Sequence, residues 1–112
     1  MPDKLDDINH AWVVLYDDKG FKDRQLRLEY AKDPAGVPSV KQRWADGKKG
    51  FNDKASSAKW QIPVGWEAVL FDDENYKDST FGLRGNGRVQ EVPDLGSFSD
   101  KMSSMRWEQI PD

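Results

Sequence analysis

The chain has 112 residues, 17 basic and 20 acidic side chains for a net charge of −3, and no cysteine. That length suits one domain with a real core and is too short for two. The absence of cysteine excludes disulfides and thiolate metal sites, and the mild acidity carries no nucleic-acid footprint and accommodates a cation partner.

Residues 1–11 are polar and rich in aspartate, and read as a flexible leader or a loosely docked arm. Met1-Pro2-Asp3-Lys4 opens no signal peptide, since no apolar region follows. The longest apolar run, Ala11 to Tyr16, is too short to span a membrane. The compartment stays open between the cytoplasm and secretion with a leader already removed. The lone His10 reads as a solvated residue, and its solitude counts against histidine-based nucleophilic catalysis and multi-histidine metal sites.

Trp12 to Tyr16, rich in β-branched and aromatic residues, reads as a strand. Asp17-Asp18-Lys19-Gly20 turns the chain, and Phe21 to Tyr30 returns with Leu26, Leu28 and Tyr30 alternating against polar neighbours. The stretch from 31 to 50 is irregular, with Val40 and Trp44 as possible anchors and Asp46-Gly47 beside Lys48-Lys49 as an exposed turn. Downstream the hairpin returns: Trp66 to Phe71, the turn Asp72-Asp73-Glu74-Asn75, then Tyr76-Lys77-Asp78 and a new strand. Asn86-Gly87 follows as a two-residue turn signal.

A doubled ten-residue stretch organises the whole. Phe51-Asn52-Asp53-Lys54-Ala55-Ser56-Ser57-Ala58-Lys59-Trp60 is echoed by Phe98-Ser99-Asp100-Lys101-Met102-Ser103-Ser104-Met105-Arg106-Trp107. Each copy opens with carboxylate, amide and hydroxyl oxygens and runs into an alternating, half-buried strand. Oxygen-rich loops of this kind suit a hard cation such as calcium; taken singly, each reads first as a polar turn capped by Asp and Ser. The duplication favours the cation. From hairpin aromatic to loop aspartate the chain runs 37 positions in the first half (Tyr16 to Asp53) and 29 in the second (Phe71 to Asp100), so the first half carries an insertion.

The fold expected is all-β: a β-sandwich of two Greek-key motifs, about 12–65 and 66–110, in a single domain spanning 12–110. Neither half buries enough apolar surface alone, and Trp12, Trp60, Trp66 and Trp107 are the candidate anchors of a shared core.

At these residues the sequence resembles the βγ-crystallins, in particular their microbial calcium-binding members. The family's signature, Asn/Asp, Asn/Asp, any, any, Ser/Thr, Ser, is matched throughout by Asn52 to Ser57, and by Ser99 to Ser104 except at Ser99. Its hairpin pattern of two aromatics and a glycine is met by Tyr16/Phe21 and Phe71/Tyr76, with Asp23 and Asp78 where glycine is usual. Asp accepts the positive φ of that glycine at a cost of about 1 kcal/mol. The resemblance covers about 12–110, apart from the insertion near 31–48.

The resemblance implies two calcium ions in a crossed clamp between the loops. It assigns side-chain oxygens to Asp53 and Asp100, backbone carbonyls to Lys54 and Lys101, and hydroxyls reaching the opposite ion to Ser56 and Ser103. Carbonyls of the hairpin turns, at Asp17 and Asp72, complete the protein ligands. Ser57 and Ser104 take structural roles within the folded hairpins. Calcium, with six to eight loosely arranged oxygens, tolerates such a mixed set.

The resemblance further implies a monomer, without nucleic-acid or membrane partners, that is no enzyme and is stabilised by calcium. No stretch has EF-hand spacing, and no acidic pair sits in a recognisable catalytic pattern. Inhibitor and toxin relatives of the fold generally depend on disulfides, which this chain lacks. The main alternative is a calcium-containing carbohydrate-binding β-sandwich module, whose tryptophans would form an exposed planar strip.

Overall fold

The computed structural model describes residues 5–18, 20–37, 44–45, 48–49, 56–73, 77–96 and 103–110. Its strands are β1 (Trp12–Asp18), β2 (Lys22–Glu29), β3 (Trp44–Ala45), β4 (Lys48–Lys49), β5 (Ser57–Gln61), β6 (Trp66–Asp73), β7 (Lys77–Arg84), β8 (Val89–Val92) and β9 (Ser104–Gln109). They form two principal antiparallel sheets, ordered β2-β1-β5-β8 and β7-β6-β9, and a small β3-β4 hairpin.

The alternation read in the sequence becomes the inner face of each sheet. In the first, Val13 lies between Leu28 and Trp60, and Leu15 between Leu26 and Ala58. In the second, Ala68 lies between Leu83 and Trp107, and Leu70 between Phe81 and Met105. Apart from Phe81, which is partly buried against the core, these residues are buried in one cluster that spans both halves. Full burial of a large apolar side chain stabilises by about 1.5–3 kcal/mol, and here it is available only when the sheets face one another.

The halves also exchange strands. Strand β8, from the second half, pairs with β5 in the first sheet over Ala58–Gln61 and Val89–Val92. In return, Val37 from the first half bridges Met105 of β9, with both backbone hydrogen bonds made. This reciprocal crossover is the Greek-key feature, and it makes the halves one folding unit. Two indoles add to it: Trp60 Nε1 donates to the Arg84 carbonyl and Trp107 Nε1 to the Asp33 carbonyl, each at 3.0 Å and each across the halves.

Three expectations change. The segment read as a leader is docked from Leu5 onward. A short 3-10 turn, Ile8–His10, is capped by Asp7, whose carboxylate accepts the Asn9 N–H. Leu5 and Ile8 pack on the core, and Ala11 is part of it. Two well-spaced apolar residues suffice to dock a polar segment.

Second, of the four tryptophans expected to anchor the core, Trp12 does not, and it does not occupy the position equivalent to Trp66. When Tyr16 is matched to Phe71 by strand register, Trp66 corresponds to Ala11 and Trp12 to Glu67. Trp66 packs against the core, whereas Trp12 is half-buried beneath the Arg27 guanidinium, 5.0 Å from the ring centroid. Among the described residues Trp60 and Trp107 are the tryptophans that hold equivalent, buried positions.

Third, Asn86-Gly87 is no hairpin turn, because β7 and β8 belong to different sheets. It is a corner between sheets, with Gly87 at φ 84°. Trp44 pairs with Lys49 and Ala45 with Lys48. The turn expected at Asp46-Gly47, Val40 and the Trp44 side chain lie outside the described residues.

Candidate metal centre

In each half the doubled stretch delivers its last two loop residues to the same place. Ser56 donates its backbone N–H to the Tyr16 carbonyl, and Ser103 donates its own to the Phe71 carbonyl, both at 2.8 Å. Tyr16 and Phe71 immediately precede Asp17 and Asp72. The end of each oxygen-rich loop is therefore held beside its hairpin turn.

At those turns the ladders lose register. Tyr16 pairs with Gln25 and Asp18 with Lys22, so Asp17 faces both Asp23 and Arg24. Phe71 pairs with Thr80 and Asp73 with Lys77, so Asp72 faces both Asp78 and Ser79. These are β-bulges, which disrupt a ladder locally and re-aim its groups next to sites. Asp23 and Asp78, the departures from glycine in the hairpin pattern, sit at the bulges themselves. The tight turn before the first bulge has positive φ at Gly20 (71°) and Phe21 (63°).

Ser56, Ser57, Ser103 and Ser104 are the buried polar side chains among the described residues. No buried side-chain N or O there lacks a hydrogen bond. Ser57 Oγ accepts the Phe21 N–H at 3.1 Å, which ties the strand to the folded hairpin turn. The hairpin aromatics Tyr16 and Phe21 meet edge to face at 5.5 Å. Lys59 Nζ lies 4.4 Å from the centre of the Phe21 ring. A hydroxyl serves in these positions because it is small enough to bury and can accept from a turn N–H.

The exit of the first loop also meets the second half. The Leu95 N–H donates to the Ser56 carbonyl at 2.9 Å, placing the approach to the second loop at the exit of the first. Asp94 Oδ1 accepts the Gly96 N–H at 2.8 Å and folds this approach into a turn. Sequence reasoning does not single out Leu95. A lone leucine between polar residues carries no signal until β8 is seen to cross into the first sheet.

Of the residues the resemblance assigns, Ser56 and Ser103 are buried, Asp72 is half-buried in β6, and Asp17 stands in β1 at its bulge. Asp53, Lys54, Asp100, Lys101 and Ser99 lie outside the described residues. Among the described residues no three His, Cys, Asp or Glu side chains gather as a metal-binding group. The carboxylates with lowered pKa lie elsewhere. Asp7 is held down first by the Asn9 backbone N–H, and Glu29, at the far end of β2 from the bulge, by the Arg27 side chain.

A doubled Greek key closed by reciprocal strand exchange defines a class, the two-motif β-sandwich. Solved structures identify which one. A βγ-crystallin from Ciona intestinalis superposes with TM-score 0.62 and 26% identity over 87% of this chain and 99% of that one. A βγ-crystallin domain from Flavobacterium johnsoniae gives TM-score 0.62 and 19% identity over 89% and 97%. An archaeal βγ-crystallin gives 0.61 and 21% over 91% and 100%. This chain is a βγ-crystallin-type domain. No protein-family model and no curated protein sequence matches it. Among the described residues no helix is long and apolar enough to cross a membrane.

Proposed function

We propose that this domain binds two calcium ions at the loop end of the sandwich and that the ions stabilise the fold. One observation carries the reading: in both halves the loop-ending serine is bonded beside a bulged, aspartate-bearing hairpin turn. The available donors are carboxylate, hydroxyl and backbone oxygens, a hard set that favours calcium over zinc or copper. Asp53 and Asp100 would supply side-chain oxygens, Lys54 and Lys101 carbonyls, Ser56 and Ser103 hydroxyls, and Asp17 and Asp72 turn carbonyls. Calcium would supply charge: acidic turns and loops repel one another at one end of the molecule, and a divalent cation offsets that repulsion.

The domain acts in this reading as a binding and structural module, a monomer with no catalytic step. Its tryptophans support that over a carbohydrate platform, since Trp60 and Trp107 are buried and Trp12 lies under Arg27.

Calorimetric titration of metal-stripped protein tests the proposal. Two ions per chain are expected, with Asp53→Ala and Asp100→Ala each weakening one site strongly and the double variant showing no specific binding. Unchanged binding in the double variant would remove the assignment. Because Ser99 departs from the loop signature, the two affinities should differ, and Ser99→Asn should change at least one of them. Identical, independent sites in both proteins would refute that inequality.

A further inference from the structure

The Asn86-Gly87 corner has no part in the metal reading, yet it combines a reactive dipeptide with an unusual set of restraints. Asn followed by Gly is the sequence in which a backbone nitrogen most easily reaches the preceding side-chain amide, because no Cβ on the second residue obstructs it. Asn86 is exposed. Gly87 is buried, with φ 84°. Its N–H donates to the Ile62 carbonyl at 2.8 Å. Its carbonyl accepts twice, from the Leu5 N–H and from Gln61 Nε2 at 3.1 Å. The Asn86 side chain is held as well, its Oδ1 accepting the Arg88 N–H at 2.8 Å. One residue thus joins the N-terminal arm, the end of the first half and the corner of the second half.

We propose that Asn86-Gly87 is a latent deamidation site that the native fold holds shut, and that it opens when the arm and the end of the first half release Gly87. In the open chain the Gly87 nitrogen gives its proton to solvent base and attacks Asn86 Cγ. The new C–N bond closes a succinimide ring, Nδ2 takes a proton from solvent, the Cγ–Nδ2 bond breaks and ammonia leaves. Water then opens the ring on either side, giving an aspartate or an isoaspartate at position 86. In the folded chain the proton the nitrogen must lose is engaged by the Ile62 carbonyl, and the carboxamide it must attack is fixed by Arg88. The reaction is therefore confined to molecules in which the corner has opened, and its rate follows the population of that open state.

The isoaspartate product would be self-propagating. It lengthens the backbone by one methylene at position 86, so the three hydrogen bonds of Gly87 no longer fit together. The corner, once modified, stays open and the arm loses its anchor.

The test incubates the full chain in mildly alkaline buffer, native and in guanidinium, and follows position 86 by peptide mass and isoaspartate assay. Native protein should deamidate at least about tenfold more slowly than the unfolded chain. Leu5→Pro removes one donor to Gly87 and Gln61→Leu the other; under native conditions each should react faster than the parent. Equal rates in native and unfolded parent would overturn the proposal. A slow native rate that neither variant raises would overturn the role given to the arm and the end of the first half. A dichroism spectrum of each variant distinguishes local opening from global unfolding; a globally unfolded variant is replaced by Gln61→Ala or by Leu5→Gly, which keeps the backbone donor but removes the side chain that docks the arm on the core.

Discussion

The two halves share a plan and differ in how they fill it. Where the first half has Ala11 and Tyr30, the second has Trp66 and Gly85, so the large residue moves from one side of the contact to the other. The result is a single asymmetric plug. The Tyr30 ring meets Trp66 edge to face, and also Trp107, each with centroids 5.8 Å apart. Two tyrosines or two tryptophans could not occupy that space together. The return strands differ too: the second half sends four residues of β8 to its partner sheet, while among the described residues the first half sends the Val37 bridge. A duplicated fold therefore keeps its backbone plan while its side chains specialise, because close packing tolerates volume moved between neighbours better than volume added.

The largest test of this pairing is calcium. If both ions bind only the folded chain, linkage gives roughly 2.7 kcal/mol per site at hundredfold excess over the dissociation constant. At about 4–8 °C per kcal/mol for a domain of this size, two sites should raise the melting temperature by more than about 10 °C. Secondary structure should change little, since the shared core already defines the sheets. Coincident melts in chelator and in calcium would rule out the clamp. A large far-ultraviolet change on adding calcium would mean folding on binding instead.

Next in size is Gly85→Ala. A Cβ there would lie 2.3 Å from the Pro63 carbonyl oxygen and 2.5 Å from that of Ile62, backbone atoms that cannot swing away. A loss of about 3 kcal/mol is expected in denaturant titration. At the equivalent Tyr30, Tyr30→Ala removes packing and should cost about 2 kcal/mol by a different route. A neutral Gly85→Ala would show that the Ile62 and Pro63 backbone does not confine position 85 to glycine.

Smaller effects separate the paired tryptophans. Trp60→Phe removes a donor from the Arg84 carbonyl, which keeps Gln90 Nε2 at 2.6 Å. Trp107→Phe takes away the indole donor to the Asp33 carbonyl, which keeps the Gly36 N–H at 2.9 Å but lies in the return segment that is tied to β9 by the Val37 bridge. The expected costs are about 1 kcal/mol and about 2 kcal/mol respectively, read as shifts in midpoint at unchanged slope. The reverse order would show that the shorter return is not the weaker one.

The smallest effect is a pH dependence confined to the arm. The Asn9 backbone N–H holds the Asp7 carboxyl below its ordinary value of 3.8. A depressed folded pKa contributes stability above the unfolded value and loses it as pH falls through the folded one. Hydrogen exchange at the His10 and Ala11 amides, which close the turn on Asp7 and Ile8, should accelerate below about pH 3.8 while β1 stays protected. Exchange in the arm that does not depend on pH in this way, beyond the intrinsic chemical rate, would remove the cap from the account.

Much of the fold is legible in the chain itself. Alternating Val13, Leu15, Leu26 and Leu28 dictate a half-buried hairpin because side chains repeat every two residues in a strand. The doubled Phe-to-Trp stretch dictates a duplicated unit, whereas the structural role of Ser57 came only from the family resemblance. The arm was less legible, since Leu5 and Ile8 are two apolar residues in a polar segment and nothing local says what they cover. Trp12 misled as a core anchor, because it opens a strand as Trp66 does and composition cannot show that their registers differ by one residue.

Local pattern by itself determined the strands, the repeat and the oxygen chemistry of the loops, since these depend on periodicity and residue type over a few positions. Tertiary structure alone decided which return strand crosses to which sheet, that Tyr30 and Trp66 share one space, and that Leu95 closes on Ser56. Those contacts join residues far apart in the chain, and their energy comes from volumes and hydrogen-bonding groups that meet only once both sheets have formed.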